Sequence, residues 1–230
     1  MHSHIQLTSG ELVFDFLKSG DLFAVTHKQT MINQLMTNPI DGSLNNLYLR
    51  VHEPAGIHSI PLIGVKSSSI VQFAESQVRW TGTHETISYE VTFTLTSKGI
   101  WFWDVLLDGS DAEVDVLYGQ DLGLADKGAV RSNEAYMSQY IDHKVFQDEE
   151  KGFVLCSRQN QPQSSGFPYI QQGSLGRAKS YSTDGFQFYG LSYKDTNEPQ
   201  ALKAESLANE VYQYEFAYTA LQSEKVELNG

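Results

Sequence analysis

The sequence predicts an all-β chain folded as an antiparallel sandwich, and three observations predict it. Aromatic residues make up 12% of the chain, with 12 Tyr and 12 Phe, side chains that suit the half-buried surface of a pleated sheet. Apolar residues recur with a period of two in several short runs. Turn-forming Gly, Asn, Asp, Ser and Pro separate those runs at short spacing, without the strand-helix-strand rhythm of a parallel sheet.

Taken in order, Leu12, Phe14 and Phe16 alternate with Val13, Asp15 and Leu17, Ser19-Gly20 turns the chain, and Leu22 to Thr26 resumes it as a β-hairpin. Leu47 to Val51 is bounded by the turn-rich Asn38 to Ser43 and by Pro54, so its length predicts a strand. Tyr89, Val91, Phe93 and Leu95 alternate with Ser88, Glu90, Thr92 and Thr94, which sends one face to a core and the other to water. After Ser97-Lys98-Gly99, the run Ile100 to Leu107 is apolar on both faces and predicts a strand covered on two sides. Further strands are expected at Glu113 to Tyr118, Phe153 to Arg158, Ala178 to Ser182, Phe186 to Tyr193 and Val211 to Leu221, separated by turns such as Thr183-Asp184-Gly185 and Asn197-Glu198-Pro199. The only helical windows are Ser132 to Ile141 and Gln200 to Asn209. No repeat or linker divides the chain, which predicts one β-sandwich domain over residues 1–230 that stops at Gly230 while still reading as β structure.

A formal net charge of −12 would repel phosphate backbones and anionic lipid, so neither nucleic acid nor a membrane surface is an expected partner. Cys156 is the one cysteine, which excludes an internal disulfide and suits a reducing cytoplasm. The start, Met1 to Ile5, lacks the basic and apolar regions of a secretory signal, and Asp104 interrupts the most apolar stretch. The expected location is cytoplasmic.

Residues able to carry chemistry form no familiar motif. His2, His4, His27, His52, His58, His84 and His143 have no metal-ligand spacing, so no metal is expected. His84-Glu85 and Asp142-His143 each offer proton transfer, but adjacent strand residues point to opposite faces. Asp108, Asp111, Glu113 and Asp115 supply the carboxylates that glycosidic chemistry uses, yet they crowd one turn in the manner of a solvated loop. Trp80, beside Arg79 and Thr81-Gly82, is the tryptophan best placed to stack on a sugar ring, whereas Trp101 and Trp103 read as core.

Two stretches are far more specific: Asp115 to Ala125 (DVLYGQDLGLA) and Asn133 to His143 (NEAYMSQYIDH). They resemble glycoside hydrolase family 94, most closely the amino-terminal part of 1,2-β-oligoglucan phosphorylases and the phosphorylase-like region of cyclic β-1,2-glucan synthases. Arg158-Gln159-Asn160-Gln161, Thr183 to Gly190, Gln213-Tyr214-Glu215 and Thr219 to Gln222 extend the similarity, which runs from about Leu12 to Gln222.

The resemblance implies a β-supersandwich of the galactose mutarotase type, made of two large antiparallel sheets with few short helices. It implies a helical linker and an (α/α)6 catalytic barrel, both missing from this chain. The implied reaction is inverting phosphorolysis, in which inorganic phosphate attacks the anomeric carbon and leaves alpha-glucose 1-phosphate. No catalytic residue and no cofactor carry over. The implied partners are a β-1,2-glucooligosaccharide, the barrel domain and a second copy in a homodimer, with Gln120, Asp121, Arg131 and Asn133, alongside Trp80, as candidate contact residues. Two other readings follow from the same residues: a free-standing glycan-binding module using Trp80, and a mutarotase-like sugar isomerase using His84 or His143.

Overall fold

The computed structural model describes residues 4–192 and 198–229 of the 230-residue chain; Met1, His2, Tyr193, Asn197 and Gly230, named above, lie outside them. The chain opens with β1 (Ile5–Ser9), β2 (Leu12–Phe16), β3 (Leu22–His27) and the short β4 (Thr30–Met31). A hairpin of β5 (Asn46–Glu53) and β6 (Gly56–Pro61) follows, then a meander of β7 (Ile70–Phe73), β8 (Gln77–His84), β9 (Ile87–Leu95) and β10 (Trp101–Asp108). The long β11 (Ser110–Asp121) leads through β12 (Ala125–Asp126) to two single-turn helices, α1 (Lys127–Ser132) and α2 (Glu134–Ser138). Next come β13 (Ile141–Asp148), β14 (Gly152–Gln159), β15 (Tyr169–Gln172) and β16 (Ala178–Asp184), and α3 (Gly185–Tyr189) then turns the chain. A 3₁₀ turn at Gln200–Lys203 precedes β17 (Ala217–Ser223) and β18 (Val226–Asn229).

These strands form three sheets: five strands in the order β1-β2-β3-β4-β12, four in the order β10-β9-β8-β7, and nine running β13-β14-β16-β17-β11-β5-β6 with β15 on β14 and β18 on β11. The all-β, sandwich-like class predicted from the sequence is the one found, with one large sheet and two smaller ones where the resemblance implied two large sheets. Pairing is antiparallel except for one parallel bridge, Gly152 to Ala178. Gly152 has φ 73°, and a Cβ there would collide with the Ala178 carbonyl, so only glycine allows that approach.

The main core joins all three sheets. Phe14, Phe16, Trp80 and Phe93 are all but sealed from solvent; Phe14 sits 4.7 Å from Phe93, and Trp103 sits 5.8 Å from Tyr118 on β11. The alternation predicted around Tyr89–Leu95 is borne out, since every second residue of β9 is buried. Core tryptophans Trp101 and Trp103 are also as expected, packed against that cluster.

Four expectations needed correction. β10 is an edge strand whose outer face is open, so Leu106 is 69% exposed instead of covered. Residues 185–189 are helix, because the Asp184 carboxylate accepts from the Gln187 amide at 2.9 Å and caps the turn. β17 starts only at Ala217, and Tyr212 and Tyr214 lie in a segment that pairs with no strand. Of the two helical windows, α2 fills part of 132–141 before β13 begins at Ile141, and 200–209 holds one 3₁₀ turn. Among the described residues no helix is long and apolar enough to cross a membrane.

Residues 199–209 form a strap that, with α3, lies across the outer face of the nine-stranded sheet. Phe188, Tyr189, Leu202 and Leu207 pack there against Tyr48, Leu117, Tyr218 and Ala220. Gly119 makes room for this second core, since a Cβ would strike the Tyr218 phenol.

Candidate functional site

β5, β11 and β17 run side by side, so register decides which polar groups meet on the face under the strap. Arg50 stands opposite Asp115, His52 opposite Glu113, and Gln222 opposite Leu117. The Arg50 guanidinium donates to both oxygens of Asp115, Nε to Oδ1 at 2.7 Å and Nη2 to Oδ2 at 2.6 Å, with both side chains wholly buried. Gln222 Nε2 donates to the same carboxylate at 2.8 Å, and His52 Nε2 lies 3.0 Å from it. Isolated buried charges cost several kcal/mol each, and this fork geometry with extra hydrogen bonds offsets that cost.

The same groups fasten the strap. Arg50 Nη1 donates to the Leu202 carbonyl at 3.4 Å and also to that of Ala204, while Gln222 Nε2 donates to the Glu205 carbonyl at 3.1 Å. The Leu207 amide donates to Ser180 Oγ at 3.0 Å. Beside this network a cavity of about 540 Å³ opens between the β5–β6 turn and the strap, lined by His52, Glu53, Glu113, Glu205 and Lys225. Lys225 Nζ spans it, 3.1 Å from Glu113 and 2.8 Å from Glu205, and its hydrogen bond holds the Glu205 carboxyl below the usual range.

Asp115 is therefore no member of a solvated loop, as the sequence had suggested, but a buried ion-pair partner. Arg50, His52 and Gln222 were missed. A signal for Arg50 was present, because a lone cation inside the apolar strand Leu47–Val51 demands a buried partner.

Six residues along β11, Asp121 makes a different kind of tie. Its Oδ2 accepts from the backbone amides of Gln34 and Leu35 at 2.8 and 2.7 Å, and Oδ1 accepts from Asn45 Nδ2 at 2.7 Å. Burial outweighs those donors and pushes the carboxyl up to about 6. Gln120, on the opposite face, is buried and accepts from the Tyr118 hydroxyl at 2.9 Å. Trp80 is fully buried between Phe16 and Trp103. Gln120, Asp121 and Trp80 thus serve the interior, and Trp80 presents no ring face on which a sugar could stack.

Arg131 and Asn133 are exposed at the α1–α2 junction, where Asn133 caps α2 by accepting from the Tyr136 amide at 3.0 Å. His143 is half-buried by exposure, bonded through Nδ1 to Ser157 Oγ at 2.8 Å, and its Nε2 has no partner among the described residues. Burial lowers its pKa to about 4. Cys156 is free and half-buried on β14. Among the described residues no group of three or more His, Cys, Asp or Glu side chains gathers as a metal site.

A family model described as the SOGP N-terminal domain matches residues 15–230. The chain belongs to that family. Over 225 residues it is 43% identical to the 1,2-β-oligoglucan phosphorylase of Listeria innocua serovar 6a, a match that takes in 98% of this chain and 20% of the relative. This SOGP N-terminal domain therefore spans about a fifth of the length of that relative. Its stretches of family resemblance lie far apart in sequence yet meet in space: β11 beyond Tyr118, the α2 turn, the β16–α3 corner and residues 213–215 gather at one end of the sandwich, linked by Gln34 Nε2 to the Glu215 carbonyl and Gln213 Nε2 to the Gln139 carbonyl.

Proposed function

We propose that this chain is a non-catalytic amino-terminal sandwich of an inverting glycoside phosphorylase that acts on β-1,2-glucooligosaccharides, with phosphate and glucan giving alpha-glucose 1-phosphate. The observation that carries this reading is the match of nearly the whole chain to one fifth of a 1,2-β-oligoglucan phosphorylase. The chemistry of the buried groups supports it. Inverting glycoside chemistry needs a carboxylic acid that faces the scissile bond. Asp115 here is committed to Arg50 and Asp121 to backbone amides, so both carboxylates hold strands and loops together.

In this reading the (α/α)6 barrel supplies the acid and the phosphate site, and the sandwich supplies structure and assembly. It uses no cofactor, and inorganic phosphate is a substrate of the whole enzyme. The test is co-expression with the remaining four-fifths of the Listeria relative, followed by phosphate release from alpha-glucose 1-phosphate with sophorose as acceptor. Turnover that requires both parts is the expected result. Turnover by this chain alone would refute a non-catalytic role.

A further inference from the structure

Large apolar side chains are exposed at several places on this molecule, and one group of them lies at the end of the sandwich where Asp121 is anchored. Leu35, Met36, Tyr136, Phe186, Tyr212 and Tyr214 are each about 40–60% exposed there. Their elements are joined to one another: Gly185 N to the Phe216 carbonyl at 2.8 Å, Ala217 N to Ser138 Oγ at 2.6 Å, and the Phe186 and Tyr214 rings 6.4 Å apart. The Tyr212–Tyr214 run has the alternation of a strand but joins no backbone ladder, and the Thr183 hydroxyl of β16 holds Tyr212 through its amide and carbonyl. Resting on the functional reading above, we infer that this end of the sandwich is the face on which the remainder of the phosphorylase polypeptide docks.

Four observations point to that occupant. Contiguous exposed apolar surface is uncommon on a monomer, and aromatic rings dominate the centres of protein interfaces. The face is held before any partner arrives, because Asp121 fixes the Gln34 and Leu35 amides and Gln213 is tied to Gln139, which keeps the ordering cost of association small. A carboxylate lies at its edge: the exposed Glu210 accepts from Gln187 Nε2 at 3.1 Å. With Glu210 and Glu215 exposed nearby, the complementary surface is an apolar centre fringed by cationic hydrogen-bond donors. Finally, four-fifths of the relative's polypeptide lies outside the matched region, ample for a large apolar partner surface.

The cavity end of the sheet differs in kind, since Lys225, Glu113 and Glu205 line it and satisfy one another.

The test uses affinity-tagged chain co-expressed with the rest of the Listeria phosphorylase, and reads the amount of untagged partner that co-purifies. Tyr214→Glu and Tyr136→Glu should each lower it about tenfold while leaving the thermal midpoint of the isolated chain unchanged. Leu106→Glu, on the open face of the four-stranded sheet, should leave co-purification intact. Hydrogen exchange provides a readout without substitution: amides of residues 211–216 should become protected in the complex. Association of the wild-type chain that survives both tyrosine changes, or that only Leu106→Glu disrupts, would overturn the assigned face and spare the functional reading. Failure of the wild-type chain to associate would overturn both. Dimerisation of the isolated chain that Tyr214→Glu abolishes would assign the face to a second copy instead.

Discussion

Asp115 and Asp121 lie on the same strand, both essentially inaccessible to water, and the fold meets their charge in opposite ways. Asp115 receives a bidentate guanidinium along with Gln222 and His52. Asp121 receives two backbone amides and an asparagine but, among the described residues, no cation. Satisfying lone pairs and neutralising charge are separate tasks, and three neutral donors accomplish the first without the second. Desolvation by burial therefore prevails over the three donors and pushes the Asp121 carboxyl up to about 6.

The largest expected effect comes from breaking the ion pair on one side only. Arg50→Met leaves Asp115 buried without its cation and frees the Leu202 and Ala204 carbonyls, so urea denaturation should show a loss of about 3–5 kcal/mol. Arg50→Met combined with Asp115→Leu should recover much of that loss. A single variant as stable as wild type would mean the pair is not what secures the strap.

Next in size is a pH effect with two opposing parts. Asp121 has a folded pKa of about 6 against 3.8 unfolded, so between those values the unfolded chain holds fewer protons. Its contribution is therefore full below about 4 and is lost as pH rises to about 6. His143 runs the other way: folded about 4 against 6.5, it binds more protons when unfolded, and stability is lost as pH falls from about 6.5 to about 4. Each amounts to on the order of 3 kcal/mol, and the two oppose one another in wild type. Asp121→Asn should unmask stability that rises with pH across this window, and His143→Asn stability that falls. Urea midpoints at pH 4.5 and 6.5 decide it, and parallel profiles for the two variants would contradict the assignment.

At fixed neutral pH, Asp121→Ala strands the Gln34 and Leu35 amides and should cost about 2–3 kcal/mol by the same urea assay. Asp121→Asn should be close to neutral, because Asn45 Oδ1 is unpartnered and can turn to accept from the new amide. A loss as large as that of the alanine variant would show that the charge itself is needed there. The smallest effect is expected at the exposed Lys28–Glu11 pair, 2.9 Å apart, where Lys28→Ala should leave the thermal midpoint unchanged within error.

Local pattern carried much of the fold, because burial on one face writes itself into alternation. β2 and β9 were legible for that reason, as was the hairpin at Ser19-Gly20. Alternation says nothing about what covers a face, so Leu106 looked enclosed although it stands 69% exposed. Similarly, Tyr212 and Tyr214 looked like part of a strand although they join no backbone ladder, and Tyr212 is held to β16 only through the Thr183 hydroxyl. Residues 185–189 were misread despite a visible cue, since Asp184 followed three residues later by Gln187 is a helix-start signature. The Arg50–Asp115 tie was illegible for another reason: two residues 65 positions apart meet only once β5 and β11 are aligned in register. Trp80 shows the limit of composition, because a flanking arginine and glycine suggested a surface that packing against Phe16 and Trp103 denies.

The position of β17 has a consequence for biosynthesis. Residues 217–223 enter the sheet between β16 and β11, strands that precede them in the chain. Until that stretch leaves the ribosome, both neighbours expose bare edges, and local helix offers almost nothing to shelter them. Long-range pairing of this kind is slow to form and open to aggregation while it waits. A ribosome stalled before Ala217 should therefore hold a nascent chain whose large sheet is split in two, and whose demand for a chaperone ends only when the last strands emerge.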